Sequence, residues 1–184
     1  MSSPIGSMRN VKIFVLYLMQ NIREPLDYIT LSEIVLQTDF VIYLDLAEAF
    51  YAMVDDGLIA EAGKNDAGET TYVPTSKGVM VAESLHSDIL PSILDESLAA
   101  ALRYLNFKRR GITVSCRTEK NHIAGYDVKC VVKEKELVLL DVTLWVDSEI
   151  RAERMAEQFR GRPEKIYRGI TALLAGKVNY LLDD

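Results

Sequence analysis

Few residues of this chain have the type and spacing that catalysis or metal binding requires. The sequence holds two histidines, His86 and His122, which lie far apart, and two cysteines, Cys116 and Cys130. Two cysteines are too few for a disulfide framework or a four-cysteine zinc site, and a histidine needs a placed partner to act as a base. The sequence also has no GxxxxGK[ST], GxGxxG, HExxH or GxSxG pattern. We therefore expect a protein that is not an enzyme, with no catalytic residue, no metal and no cofactor.

Length and composition indicate a folded protein of one large or two small domains. The chain has 184 residues, of which 49% are hydrophobic and 26% are charged, as is typical of globular proteins. Its longest apolar run, Ile13 to Met19, is far shorter than the roughly 18 residues of a membrane span. With no leader in view, we expect a cytoplasmic protein that does not enter a membrane. Residues 1–7 are small and mostly polar, and we interpret them as a loose tail or an expression remnant.

Charge is distributed unevenly between the two halves. Residues 1–99 carry 5 Lys and Arg against 15 Asp and Glu, a net charge of −10. Residues 100–184 carry 16 against 12, a net charge of +4. Because basic side chains on phosphates supply most of the affinity of a DNA-binding protein, the first half has the wrong charge for that role.

The first half of the sequence predicts four helices and two strands. Thr30 and Glu33 have the spacing of a capping box at the start of the second helix, and Gly57 suits the end of the third. Thr75 or Ser76 caps the fourth helix. The predicted elements are helices over 10–21, 30–37 and 43–56, strands over 58–61 and 70–73, and a helix over 75–86.

This order of elements resembles that of a winged helix-turn-helix domain. The segment from Met53 to Ile59 resembles the end of the third helix and the first wing strand of such a domain. The segment from Tyr72 to Thr75, with Gly78, resembles the second wing strand and the turn that follows it. The resemblance implies a DNA-binding shape, in which the third helix enters the major groove and the wing touches the backbone or the minor groove.

The second half predicts a helix, a sheet and two more helices. Pro91 suits the first helical position, and the helix continues to Arg110. Three strand-like runs, 112–117, 123–132 and 137–146, are separated by short gaps, which favours an antiparallel meander. Helices over 149–160 and from Pro163 to about Leu182 complete the chain.

The register of this meander decides how the two cysteines are interpreted. If its first turn lies near Lys120 and Asn121, Cys116 faces the region of Gly125 and not Cys130. The two thiols are then too far apart to bridge, and we interpret both as buried free cysteines.

Over almost its full length, the chain resembles the bacterial domain-of-unknown-function family numbered 4364. The shared features are the Gly57-Leu58-Ile59 entry to the wing, the long meander and the terminal Ile166-Tyr167-x-x-Ile170 segment. The resemblance implies an α+β fold: an N-terminal winged helix-turn-helix, then a linking helix, a three-stranded antiparallel meander and two C-terminal helices. We place a tail at 1–7, the winged helix-turn-helix domain at 8–87 and the α+β domain at 88–184. The family implies a regulator-like role and supplies no catalytic residue.

The predicted third helix and wing form the first candidate surface, for DNA or for a protein partner. Its residues are Tyr43, Asp45, Glu48, Ala49, Lys64 and Asn65. With Leu46, Phe50, Met53 and Val54 buried, the outer face of the helix carries Asp45, Glu48 and Asp56 and no cation. Carboxylates that face phosphates repel them, and only a cytosine amino group would accept one. Direct base reading by this helix is therefore disfavoured.

A second candidate surface is basic and lies at the end of the linking helix and in the first hairpin of the meander. Its residues are Arg103, Lys108, Arg109, Arg110, Arg117 and Lys120. Such a cluster either complements the C-terminal end of a helix or forms a docking site for an acidic protein surface or a nucleic-acid backbone.

Three functions remain open at the level of the sequence. The first is a transcription regulator that contacts DNA, the second is a winged helix used for protein–protein interaction, and the third is an enzyme or small-molecule sensor that uses the meander. We favour the regulator class, with the interaction module as the alternative, since fold and family resemblance both point there and no catalytic group supports the third.

A homodimer is also expected, because the first helix is apolar on all faces. Val11, Phe14 and Leu18 lie on one stripe, while Ile13 and Leu16 lie on another. One small domain covers only one side of such a helix, and two-fold dimers are the commonest soluble assemblies. The competing explanation is that the terminal helices cover the second stripe within one chain.

Overall fold

The computed structural model of the chain describes residues 3–177, and these residues form an α+β fold with seven α-helices and two three-stranded antiparallel sheets. A 3-10 turn, His86–Asp88, precedes the fifth helix. The helices are α1 Met8–Ile22, α2 Tyr28–Leu36, α3 Tyr43–Asp55, α4 Ser76–Leu85, α5 Pro91–Arg109, α6 Glu149–Gly161 and α7 Pro163–Leu174. The strands are β1 Leu26–Asp27, β2 Ile59–Lys64, β3 Thr70–Pro74, β4 Ile112–Lys120, β5 Tyr126–Glu134 and β6 Leu137–Val146.

The chain divides into two compact units, Met1–Tyr104 and Leu105–Asp184. The boundary lies inside α5, whereas the sequence analysis places it at residue 87. Residues 91–104, most of α5, group with the first unit, although the sequence assigns the whole helix to the second domain.

The centre of the first unit is α1, whose apolar side chains from Val11 to Ile22 are buried except for the half-buried Tyr17. Val11, Phe14, Val15, Leu16 and Leu18 have no exposed surface at all. The elements that surround them, α3, α4 and β3, belong to the same unit. The apolar surface on which the expectation of a dimer rests is therefore already covered within the chain, and by elements other than the terminal helices.

The start of α2 differs from the predicted capping box. The N-cap is Asp27, whose carboxylate accepts hydrogen bonds from the backbone N–H and the hydroxyl of Thr30, each at 2.8 Å. Thr30 itself lies inside the helix. The prediction was wrong because the short strand β1, which pairs with β3, leads directly into α2 and moves its first turn forward along the sequence.

The first sheet has the order β1-β3-β2, and its hairpin β2–β3 leads into α4. Thr75 caps α4, as the sequence predicts, by accepting a hydrogen bond from the N–H of Gly78. Gly78 is buried where α4 lies against the strand entry, and a Cβ at this position would overlap the carbonyl oxygen of Leu58. The glycine is therefore required by close packing and not by a turn.

The second unit is a meander with order β4-β5-β6, covered on one face by α6. Ala152, Ala156 and Phe159 recur at i, i+4 and i+7 along α6 and are buried against the sheet. On β5, Val128, Cys130 and Val132 alternate with exposed or half-exposed neighbours, as expected of a sheet with one buried face. The helix α7 ends at Leu174, and the part of the predicted helix beyond residue 177 lies outside the described residues.

The interpretation of the cysteines as free thiols was wrong. Cys116 lies directly opposite Cys130 in the β4–β5 pair, with their Cα atoms 4.2 Å apart, and the two form a disulfide. The turn occupies residues 121–125 and is closed by a hydrogen bond from the N–H of Asn121 to the carbonyl of Gly125. This turn lies later in the sequence than the predicted turn near Lys120 and Asn121, and the register consequently shifts until the two cysteines face each other.

Candidate interaction surface on the third helix

One stripe of α3 faces solvent and forms the candidate site, here named the α3 face. Leu44, Glu48, Tyr51 and Asp55 follow each other at i, i+4, i+7 and i+11, and all four side chains are exposed. Leu44 is 72% exposed and Tyr51 is 63% exposed. The stripe therefore combines two large apolar side chains with two carboxylates, and α3 contains no Lys or Arg.

Tyr51 is supported from below by a cluster of aromatic rings. The rings of Phe50 and Tyr51 lie 5.7 Å apart, and the ring of Tyr28 from α2 lies 6.3 Å from that of Tyr51. Phe50 also contacts Tyr28 at 4.7 Å and Tyr72 of β3 at 4.9 Å, in edge-to-face geometry. Such pairs add stability beyond the burial of their area. The exposed Tyr51 ring thus rests on a packed base that joins α2, α3 and β3.

Asp45 does not belong to the α3 face, because it holds the N-terminal segment. Its carboxylate accepts hydrogen bonds from the backbone N–H of Ser3 at 2.8 Å and from the Ser3 hydroxyl at 2.6 Å. The Ser3 hydroxyl in turn accepts from the N–H of Ile42, the N-cap of α3, which has no cap of its own. These bonds from Ser3 lower the pKa of the Asp45 carboxyl. Ser3, in the segment that the sequence analysis sets outside the fold, is therefore attached to the start of α3.

The rotation of α3 about its axis decides whether two other predicted surface residues are exposed. Ala49 is fully buried and is not part of any surface, whereas Tyr43 is exposed at the start of the helix. The buried stripe consists of Leu46, Ala49, Phe50 and Met53, which is the i, i+3, i+4, i+7 pattern. The sequence analysis placed Val54 in this stripe instead of Ala49 and so rotated the outer face slightly.

Of the three carboxylates predicted on the outer face, only Glu48 makes no hydrogen bond or ion pair within the described part of the chain. Asp56 pairs with Lys12 of α1 at 2.9 Å, and this hydrogen bond lowers the pKa of the Asp56 carboxyl. Asp55 adds a second exposed carboxylate to the α3 face. The face remains acidic, although through different residues from those predicted.

The wing candidates Lys64 and Asn65 have different roles. Asn65 shapes the β2–β3 turn: its side-chain oxygen accepts from the N–H groups of Ala67 and Glu69, at 3.0 and 2.9 Å. Its side-chain amide donates to the Asp27 carboxylate at 3.2 Å, which ties the wing to the start of α2. The side-chain oxygen and amide of Asn65 thus both make hydrogen bonds within the fold. Lys64 is exposed at the end of β2.

The predicted basic surface is not one continuous patch. Arg103 belongs to the first unit and is half-buried, with its Nε atom buried and without a hydrogen-bond partner among the described residues. The remaining five cations belong to the second unit, and Lys108 and Arg109 at the end of α5 are both exposed. Arg110 pairs with Glu134 through two hydrogen bonds, one of them from Nε at 3.1 Å.

The other two basic candidates lie at the far end of β4. Arg117 pairs with Glu119 at 3.4 Å, and Lys120 is exposed at the last position of the strand. At about 3.3 Å per residue, β4 separates Ile112 from Lys120 by about 26 Å. These cations were expected to lie together because the predicted first strand ends at residue 117, whereas β4 continues to Lys120. The six cations therefore do not form one cluster, and Arg110 and Arg117 are paired with carboxylates.

Sequence reasoning missed Leu44 and Tyr51 as surface residues, and it missed Ser3 altogether. The first two were available from the sequence, because removing the correct buried stripe from a helical wheel leaves both on the opposite side. The contact of Ser3 with Asp45 links residues 42 positions apart, and no local pattern indicates it.

Comparison with known proteins identifies the family of the chain. The sequence model of one family, described as Domain of unknown function (DUF4364), matches residues 11–174. No curated protein and no solved structure shows significant similarity to the chain. No helix among residues 3–177 has the length and hydrophobicity that crossing a membrane requires. Because the match covers most of the sequence, the chain belongs to the DUF4364 family.

Proposed function

We propose that this protein is a non-enzymatic, winged-helix protein of the transcription-regulator type, in which the α3 face binds a protein partner and does not read DNA. The observation that carries this proposal is the composition of the α3 face: exposed Leu44 and Tyr51 beside Glu48 and Asp55. Of the functions open at the level of the sequence, this favours the protein-interaction module.

The arrangement of the first unit supports the winged-helix part of the proposal. The order α1, β1, α2, α3, β2, β3, α4 and the sheet order β1-β3-β2 are consistent with those expected of a winged helix-turn-helix domain. In such domains the third helix is the one that meets the partner molecule. This support is an analogy of fold, and the choice of partner depends on the residues that the helix presents.

Those residues are typical of a protein interface. Tyrosine is enriched at the centres of protein–protein interfaces, where a rigid aromatic side chain supplies large contact area. Tyr51 is held by the aromatic cluster beneath it, so that little conformational entropy is lost when a partner covers it. Glu48 and Asp55 on the same stripe favour a partner whose apolar patch is edged by Lys or Arg.

The same residues argue against DNA. A DNA-reading helix needs Lys, Arg, Asn or Gln side chains toward phosphates and base edges, and α3 has none of these. Lys64 is the single cation of the β2–β3 hairpin, which also carries Glu61, Asp66 and Glu69. A contact with phosphates would therefore have to overcome repulsion from both elements.

A homodimer is part of this proposal, but through β6 and not through α1. β6 is an edge strand of ten residues with one charged residue, Asp141, and it exposes Leu137, Val138, Leu144 and Trp145. Edge strands of monomers are usually protected by charges, as β4 is by Arg117, Glu119 and Lys120. Pairing of β6 with a second copy would cover the apolar edge. Analytical ultracentrifugation tests this, since a mass that stays near 20.7 kDa as concentration rises contradicts it.

A cytoplasmic location is also proposed, and the disulfide makes it testable. Disulfides are rare in reducing cytosol, so a cytoplasmic location requires that the facing pair Cys116 and Cys130 is kept reduced there and forms its disulfide only on oxidation. Cells producing the protein are quenched with acid and alkylated under denaturing conditions. Two alkylated cysteines agree with a cytoplasmic location, whereas a fully oxidised pair contradicts it.

Site-specific photo-crosslinking tests the α3 face directly. A photo-reactive amino acid replaces Leu44 in the protein produced in its native host, with Met80 of α4 as the matched control. Met80 is similarly exposed, at 64%, and lies on a different helix. We expect a discrete protein adduct from position 44 that is absent from position 80, and that is lost when Tyr51→Ala is added.

Two outcomes would contradict the proposal. Adducts of equal yield from positions 44 and 80 would mean that the α3 face is not a specific surface. Crosslinks from position 44 to DNA instead of protein would favour the regulator that contacts DNA directly.

A further inference from the structure

The second unit contains a cavity between its sheet and the two C-terminal helices. Its volume is about 300 Å³, at the lower end of the roughly 300–1,000 Å³ typical of small-molecule sites. The sheet contributes Val128, Cys130, Val142 and Leu144, and α6 and α7 contribute Arg154, Met155, Gln158, Phe159, Ile166 and Ile170. All of these residues lie within the second unit.

The lining changes from apolar to polar between the floor and the mouth. Val128, Cys130 and Phe159 at the floor are almost completely buried. Arg154 and Gln158, one turn apart on α6, are exposed and supply the polar groups of the lining. A molecule that fits this arrangement has an apolar body and a polar end. Most of the lining is Val, Leu, Ile, Met or Phe, and so the body is a hydrocarbon and not a sugar or a nucleotide.

The positive charge of Arg154 at the mouth of the cavity favours a ligand whose polar end is negatively charged. Arg154 makes no hydrogen bond or ion pair with any described residue, and none of its contacts is an acidic group of the lining. The first unit offers a contrast: it has a cavity of about 280 Å³ that also includes two cations, Arg9 and Lys12. Those cations are already paired with Asp88 and Asp56, at 2.8 and 2.9 Å. Among the cations that line these two cavities, Arg154 alone has no charged partner within residues 3–177, and its charge is available to a ligand.

We propose that this cavity binds a small monocarboxylate with a hydrocarbon chain. The carboxylate pairs with the guanidinium group of Arg154, which presents two parallel N–H donors to the two oxygens, and the Gln158 amide donates at the same end. The chain lies between Val128, Phe159 and Ile170. This site is independent of the α3 face and would remain if the proposed function were wrong.

Isothermal titration with octanoate tests the proposal, and octanol is the matched neutral probe. We expect octanoate to bind one to one, and affinity to rise about fourfold per methylene from butanoate to octanoate, as burial of each group predicts. Arg154→Met keeps an apolar stem of similar length and should weaken octanoate about tenfold or more while leaving octanol unchanged. Arg151→Met is the control, since Arg151 lies on the same helix but pairs with Asp147.

A second pair of variants tests whether the ligand occupies the cavity, and it leaves Arg154 unchanged. Ile170→Trp fills the cavity from α7 and should abolish binding of both probes. Thr171→Trp places the same side chain at the next, exposed position of the helix and should bind normally.

The proposal is overturned if the full chain does not bind octanoate at millimolar concentration. It is equally overturned if Arg151→Met weakens octanoate as much as Arg154→Met does, or if Thr171→Trp and Ile170→Trp behave alike. A variant that ends at Lys177 covers one more case. If that variant binds octanoate and the full chain does not, the chain's own last seven residues compete for the cavity, and the assignment to a free ligand is wrong.

Discussion

Truncation of Phe50 tests whether the aromatic cluster beneath Tyr51 stabilises the first unit. Phe50 is 3% exposed and its ring contacts those of Tyr28, Tyr51 and Tyr72. Removing a buried phenylalanine side chain costs roughly 3–5 kcal/mol, because apolar burial is lost and a cavity remains. Three ring contacts place Phe50→Ala toward the upper end of this range. Since whole domains are stable by only roughly 5–15 kcal/mol, the first unit would lose much of its stability.

The measurement is urea unfolding followed by far-UV circular dichroism, with the free energy taken by linear extrapolation. Tyr51→Ala is the matched control, because Tyr51 is the exposed member of the same cluster and its two ring contacts, at about 0.5–1.5 kcal/mol each, account for about 1–3 kcal/mol. Tyr51→Ala should thus leave the fold intact and still remove the crosslink from position 44. Equal losses of stability in the two variants, or an unchanged midpoint for Phe50→Ala, would refute the assignment of the buried and exposed faces of α3.

Three further predictions concern packing, pH and the disulfide. Gly78→Ala should destabilise by at least about 1–3 kcal/mol in thermal unfolding, because its methyl group would overlap a backbone carbonyl, whereas Gly161→Ala, with open space around it, should stabilise slightly. The carboxyl of Asp45 has a lowered pKa, so its stabilising contribution is present above the unfolded-state pKa and is lost as pH falls through the folded-state pKa. The wild type should exceed Asp45→Asn in stability at pH 7, and in acid titrations this difference should begin to shrink below about pH 4 and continue to shrink as pH falls. Reduction of Cys116–Cys130, which closes a loop with a sequence separation of 14, should lower the free energy of unfolding by about 3 kcal/mol, and the double serine variant should be insensitive to reductant.

Elements whose ends carry strong local signals were predictable from the sequence. Thr75 caps α4, Pro91 begins α5, and β6 has the bounds that its apolar run predicts. The three-stranded meander followed by two helices is confirmed as a whole. In each case the determining chemistry is local: a side-chain cap, a proline or a β-branched run.

What the sequence could not provide was the pairing of distant residues. The facing of Cys116 and Cys130 depends on the position of the turn at 121–125, and a shift of that turn by a few residues along the sequence separates them. The bonds of Ser3 to the start of α3 and of Asn65 to Asp27 join segments about 40 residues apart. Both interactions use residue types that are common in loops, and their partners are known only once the fold is known.

The negative charge of the candidate site was predictable from the sequence, but the identity of its residues was not. An acidic third helix follows from the sequence alone, and the structure retains it through Glu48 and Asp55. The apolar part of the α3 face depends on the rotation of the helix, which is decided by whether Ala49 or Val54 is buried. Small residues such as alanine carry little weight in a hydrophobic pattern, and this is why the rotation was misjudged.

The most direct test of the central claim is the binding of a labelled, mixed-sequence DNA duplex, measured by fluorescence anisotropy across a salt series. A protein that neutralises phosphates loses affinity steeply as salt rises, by a logarithmic slope of about 0.9 for each phosphate contacted. We expect that the wild-type protein does not bind the duplex even at low salt, and that Glu48→Lys with Asp55→Lys introduces weak, salt-dependent binding. Tight binding by the wild type, with a steep salt slope that Glu48→Lys abolishes, would contradict the claim that the α3 face is a protein-binding surface.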